Sequence, residues 1–141
     1  ERTPKLARAA AKSLRQRGMT TAGWACAYRA CLAARLWDGE AAFGYIQDAF
    51  RTSTANNLMN LAFHCNERKL HHEEPEIGIV PYQFQMDGNE AIAMAMLLML
   101  LDEDVFISED GAMQIYLYLL PALPSRLPGG GAWAIKSLED V

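Results

Sequence analysis

A chain of 141 residues has room for one domain with a core, and 51% hydrophobic content places it among globular proteins rather than disordered ones. Its net charge of −4 gives no general drive towards nucleic acid. The longest apolar run, residues 91–101, is about half the roughly 20 residues that a bilayer span needs, so no membrane span is expected.

"TPKLARAAAKSLRQRG" predicts a first helix, with Thr3 as cap, Pro4 in the first turn and Gly18 as the stop. Leu6, Ala10 and Leu14 share one face. Lys5, Arg8, Lys12 and Arg15 share the other, which reads as a solvated face before it reads as a phosphate-binding stripe. A second, Ala-rich helix is expected from Ala22 to Trp37, ended by Asp38-Gly39. A third follows, with Ala42, Tyr45, Ile46, Ala49 and Phe50 at helical spacing. Helix, tight turn and helix imply an antiparallel pair.

From Ser53 to Met86 the pattern loosens. "ANNLMNLAFHCNERKL" suits a short helix, and "HHEEPEIGIVPYQFQ" a long loop. Residues 91–101 are apolar all round, which predicts a helix buried on every side. "AMQIYLYLLPALP" alternates Gln114, Tyr116 and Tyr118 with Ile115, Leu117 and Leu119, the pattern of a strand. "LPGGGAWAIKSL" reads as a turn and a second short strand. The expected organisation is a helical segment over residues 1–112 and short strands over residues 113–141, leading towards a small β region. Glu1 opens directly into a helix without a Met, which reads as a piece of something longer.

Candidate metal and thiol chemistry reduces to simpler readings. Cys26 and Cys31 are five apart on a helix and suit burial better than bridging. His64, Cys65, His71 and His72 match no tetrahedral zinc spacing and read as a polar loop. "DEDVFISEDG" resembles a calcium loop, but Phe106 stands where an oxygen ligand is required. No metal and no cofactor are expected.

The sharpest feature is "FQMDGN" at residues 84–89, which places Asp87, Gly88 and Asn89 at the mouth of the apolar helix. An Asp there is commonly a cap. A helix N-terminus also favours a carboxylate through its free amides and dipole, and a glycine beside it permits a tight turn.

In this order, "TPKLARAAAKSLRQRG", "GWACAYRACLAARLWDGEAA", Asn57-Leu58, "FQMDGN" and "LLPALP" resemble the C-terminal part of the catalytic domain of family 95 glycoside hydrolases, the inverting α-L-fucosidases. The resemblance covers Thr3 to about Pro124. It implies a mainly α fold, a partial (α/α)6 barrel of antiparallel helix pairs with a short C-terminal β-hairpin segment. It implies hydrolysis of α-L-fucosides, or related α-L-galactosides, by inversion, with Asp87 as the general base that activates water. The general acid, a Glu, and the two Asn residues that orient the water would lie upstream, so they map onto neither Glu73, Glu74 nor Asn89. Trp24, Gln85 and Asn89 are candidates for substrate contact, with packing for Trp24 and bracing of the loop for Gln85 and Asn89 as the alternatives.

The chain departs from the family pattern at Glu90-Ala91 (usually Phe-Gly), Leu98 (a Glu), Asp102-Glu103 (Gln-Ser) and Tyr28-Arg29 (Trp and Lys). The implied partner is a fucosylated glycan, with self-association or pairing with the rest of the barrel as a further expectation. The implied compartment is extracellular or periplasmic. The alternative is a non-enzymatic helical interaction module derived from such a barrel.

Overall fold

The computed structural model describes residues 3–17, 23–62 and 84–125. Within them the chain is mainly helical: α1 (Pro4–Gln16), α2 (Gly23–Arg35), α3 (Gly39–Thr52) and α4 (Met86–Leu100), then a two-stranded antiparallel sheet of β1 (Leu101–Ile107) and β2 (Met113–Leu119). No described helix is long and apolar enough to cross a membrane.

The core is built from small side chains. Ala27, Ala30, Ala33 and Ala34 of α2 meet Ala42, Ile46 and Ala49 of α3 on one side and Ala91, Ile92, Ala95 and Leu98 of α4 on the other. Alanine at these positions lets helix axes approach closely, and it carries the highest helix propensity. Helices α2 and α4 run in the same direction: their first turns both rest on Asn60, and Arg35 at the end of α2 pairs with Asp102 just past the end of α4. Helix α3 returns along the other side of α2 after a three-residue turn, which gives the expected antiparallel pair with α2.

Helix ends explain several departures from expectation. Thr3 holds the N-cap position of α1 without a side-chain capping bond; its carbonyl accepts from the amides of Leu6 and Ala7. Gly18 lies outside the described residues. The stop of α2 is Trp37, in the left-handed region at φ 58°, where a glycine is usual. Asp38 starts α3 rather than ending α2, its carboxylate accepting from the Ala41 amide. The short helix expected within "ANNLMNLAFHCNERKL" is not found over residues 55–62, which form a tight loop closed by Leu61 N–H to the Ser53 carbonyl and Ala55 N–H to the Met59 carbonyl. The rest of that stretch, with His64, Cys65, His71, His72, Glu73 and Glu74, lies outside the described residues.

Helix α4 is not buried on every side. Ala91, Ile92, Ala95, Leu98 and Met99 are buried, but Met94, Met96, Leu97 and Leu100 are exposed, Leu97 at 62%. Its sequence is apolar all round, so periodicity carries no sign of which face is covered. Leu6 of α1 is likewise exposed while Leu14 is buried, and Lys5, Arg8, Lys12 and Arg15 are exposed as the solvated-face reading requires.

The strand expected in "AMQIYLYLLPALP", ending at Pro121, is present over Met113–Leu119, but its partner is upstream. It pairs with Leu101–Ile107 in a register running from Leu101 opposite Leu119 to Ile107 opposite Met113. The acidic stretch once comparable to a calcium loop is therefore this strand and the turn after it, where Asp110 accepts from the Ser108 hydroxyl and the Ala112 amide. The second expected strand, in residues 127–138, lies outside the described residues. Among the described residues no cluster of His, Cys, Asp and Glu is arranged to hold a metal ion.

Asp102 anchors the hairpin. One carboxylate oxygen pairs with Arg35 and accepts from the Glu103 amide, and the other accepts from Trp37 Nε1 at 3.2 Å. Trp37 also packs on Tyr118, ring centres 4.8 Å apart. Past β2, the Leu120 amide donates to the Leu100 carbonyl, Ala122 is buried, and the Ser125 amide donates to Glu40 at 2.6 Å; the Ser125 side chain and then its amide hold the Glu40 carboxyl below its usual range. "LLPALP" is thus the strap that ties the hairpin to the start of α3.

One glycine marks slack in this packing. Gly44 lies inside α3 with nothing within 4 Å of an added Cβ. Gly44→Ala in this chain is expected to raise stability by about 0.5–1 kcal/mol, the ordinary cost of a mid-helix glycine. Denaturant unfolding of the two forms checks it.

Candidate active site

The site residues named from sequence gather at one end of the helices, where α2 and α4 begin. The N-cap of α4 is Gln85, and Asp87 is the second residue of the first turn, so Asp87 does not occupy the capping position. Its side chain is exposed. A carboxylate in a first helical turn faces free amides and the positive end of the helix dipole, a favourable place for negative charge.

Three segments are laced together around this turn. Gln85 Oε1 accepts from the Trp24 amide at 3.3 Å, which joins the start of α4 to the start of α2. Asn89 Oδ1 accepts from the Asn60 amide at 2.7 Å, and Asn89 Nδ2 donates to the Leu58 carbonyl at 2.8 Å. The Asn60 carbonyl in turn accepts from the Gln85 amide at 2.8 Å. The amides of Gln85 and Asn89 therefore brace the residues on either side of Asp87 in this structure. Trp24 stands 43% exposed, packed edge-to-face against Tyr28 with ring centres 6.0 Å apart. Its indole lies outside the core, on the first turn of α2. Arg29, the other departure in that helix, is buried.

Gly88 serves packing rather than turning. It lies in helical backbone with no positive φ, and a Cβ placed on it would stand 2.2 Å from Asn60 Oδ1. Gly23, the first residue of α2, meets the same oxygen at the same 2.2 Å. Asn60 fills the gap between the two helix starts. It is completely buried, and neither Oδ1 nor Nδ2 has a hydrogen-bond partner among the described residues.

Sequence reading missed Asn60 and Gly23. The available signal was a glycine inside the first turn of two helices, where its low helix propensity makes it a poor choice. A glycine retained there points to a close approach by something else.

Cys26 is buried and Cys31 half-buried on α2, neither in a disulfide, and burial pushes both thiols up from their usual range. Cys31 Sγ donates to the Ala91 carbonyl, a further tie between α2 and α4. Both cysteines serve packing, as their spacing suggested.

Comparison with known proteins gives two matches. The model of the glycosyl hydrolase family 95 catalytic domain matches residues 1–100. The chain is also similar to alpha-L-fucosidase 2 of Arabidopsis thaliana, with 30% identity over 150 residues. That alignment takes in 99% of this chain and 16% of the relative, so the chain spans a small part of the relative's length.

Proposed function

This chain belongs to the glycosyl hydrolase family 95 catalytic domain, and from that premise we propose that it forms part of an inverting glycosidase acting on α-L-fucosides or related α-L-galactosides. Asp87 is the general base in this reading. The observation that carries it is the placement of Asp87: an exposed carboxylate in the first turn of α4, off the capping position, with braced residues on both sides.

Inversion requires two carboxyl groups on opposite faces of the sugar, roughly 6.5–9.5 Å apart, so that a water fits between the base and the anomeric carbon. Asp87 takes a proton from that water as its oxygen attacks, and a carboxylic acid gives a proton to the leaving oxygen. That acid belongs to the remainder of the catalytic domain, as do the other helices of an (α/α)6 barrel. Trp24 offers an apolar ring to the sugar's apolar face. Gln85 and Asn89 hold the turn, with hydroxyl contacts as their further role. No metal or cofactor enters this chemistry.

The test uses the complete protein with aryl α-L-fucosides and α-L-galactosides, with proton NMR to report the anomer first released. The β-anomer as first product supports the reading. Retained configuration, or no turnover of either sugar class by folded protein, overturns it.

A second reading, a helical module that works by association, is favoured by the hairpin. Leu101, Val105, Ile107, Met113, Ile115, Leu117 and Leu119 share one sheet face with Glu103, which stands opposite Leu117, and all are exposed, Leu117 at 61%. A face this largely apolar, broken by a single carboxylate, marks an interaction surface. In the enzyme reading the rest of the protein covers it. The 141-residue chain alone is therefore expected to self-associate, and Ile115→Lys with Leu117→Lys to weaken that association at least tenfold by sedimentation velocity. A monomer across the micromolar range without the substitutions would remove the basis of this second reading.

A further inference from the structure

We propose that Asn60 is a positioning residue for Asp87: a buried wedge that sets where the first turn of α4 stands against the start of α2. The inference rests on the reading of Asp87 as general base.

Three independent contacts of Asn60 converge on that turn. Its amide donates to Asn89, its carbonyl accepts from Gln85, and its side chain lies against Gly88, so every described neighbour of Asp87 within two residues, apart from Met86, touches it. On the opposite side the same side-chain oxygen meets Gly23 of α2. Both glycines sit where any Cβ would overlap the amide, at 2.2 Å, so the size of Asn60 fixes the separation of the two helix starts. The side-chain amide is fully buried and has no hydrogen-bond partner among the described residues. A chain folding for stability alone gains by replacing such a group with an apolar one, because a buried polar atom without a partner costs free energy. The flat amide stands here at a point that meets both helix starts beneath the proposed base. General-base catalysis depends on the distance and direction from carboxylate to water, and a displacement near 1 Å is able to cost about 10²-fold in rate.

The test is a double-mutant cycle in the complete protein, with Asn60→Ala and Asp87→Asn singly and together. Rates with an aryl α-L-fucoside are taken well below each variant's unfolding temperature and scaled to folded protein. Expected is a fall in kcat of about 10²-fold for Asn60→Ala with KM changed less than about threefold. In the Asp87→Asn background the same change is expected to cost less than about threefold, because a residue that acts through Asp87 has nothing left to position. A merely structural role lowers the unfolding temperature but leaves kcat per folded molecule unchanged, which overturns the proposal. An equal loss of kcat in both backgrounds overturns it as well. If Asp87→Asn alone keeps the wild-type rate, the base assignment fails and the proposal falls with it, and that single arm identifies which of the two has failed. Should Asn60→Ala not fold, Asn60→Ser, which leaves a smaller void, carries the same cycle with the same expectations.

Discussion

Asp87→Asn in the complete protein is expected to lower kcat on an α-L-fucoside by about 10²–10⁴-fold, with little change in KM. That range is what a positioned general base contributes, and it corresponds to about 3–5.5 kcal/mol of lost transition-state stabilisation. Asparagine keeps the shape of the side chain and an oxygen able to hold water, but it has no pair of electrons basic enough to take the proton. Asp87 is exposed and sits in a turn held by Gln85 and Asn89 rather than by its own carboxylate. The substitution is therefore expected to leave the fold intact, so the rate reports chemistry. Steady-state kinetics and the thermal unfolding of both forms check the two halves of this statement. A variant with the wild-type rate would reduce Asp87 to first-turn electrostatics, worth a few tenths to 1 kcal/mol of helix stability.

Much of this arrangement is legible in the chain, and the parts that are not share a cause. Pro4 at the start of α1 and the spacing of Ala42, Ile46 and Ala49 in α3 are local signals, and they place those helices correctly. The start of α4, with Asp87 in its first turn, is placed the same way, from "FQMDGN". The misses depend on partners far along the sequence. Strand β1 hides in "LDEDVFI" because three acidic residues in a row resemble a solvated loop. What makes it a strand is its ladder with β2 and the pairing of Asp102 with Arg35, 67 residues away. The end of α2 is a tryptophan at φ 58°, a conformation that no propensity assigns to it. It is held by an indole bond to that same Asp102 and by the Tyr118 ring. Asn60 carries no local mark at all, since its importance comes from two glycines on different helices. Helix α4 shows the reverse problem: its ten apolar residues from 91 to 100 give no phase, so the exposed line of Met94, Leu97 and Leu100 cannot be told from the buried one.

Gly39→Ala is expected to destabilise the fold by about 3 kcal/mol, at the upper end of the usual cost of overpacking. Gly39 is the first residue of α3, directly after the capping Asp38, and it is buried. A Cβ there would stand 2.5 Å from the carbonyl oxygens of both Ala122 and Leu123. These atoms belong to backbone, so no side-chain rotation relieves the overlap. The strap itself is fixed, with the Leu120 amide bonded to the Leu100 carbonyl, Ala122 buried and the Ser125 amide bonded to Glu40. Relief requires that the strap lift away from α3, and lifting it draws the hairpin off Trp37. The loss is expected to appear as a lower midpoint in denaturant unfolding, with Gly44→Ala on the same helix as the control that moves the other way. Equal midpoints for the two alanine variants would mean that residues 119–124 do not close over the start of α3. The consequence for function is indirect: Gly39 lies at the end of the helices opposite the turn of Asp87, so protein that remains folded is expected to keep its kcat. A kcat that fell with stability intact would instead tie the strap to the position of α4, whose last turn it holds through Leu100.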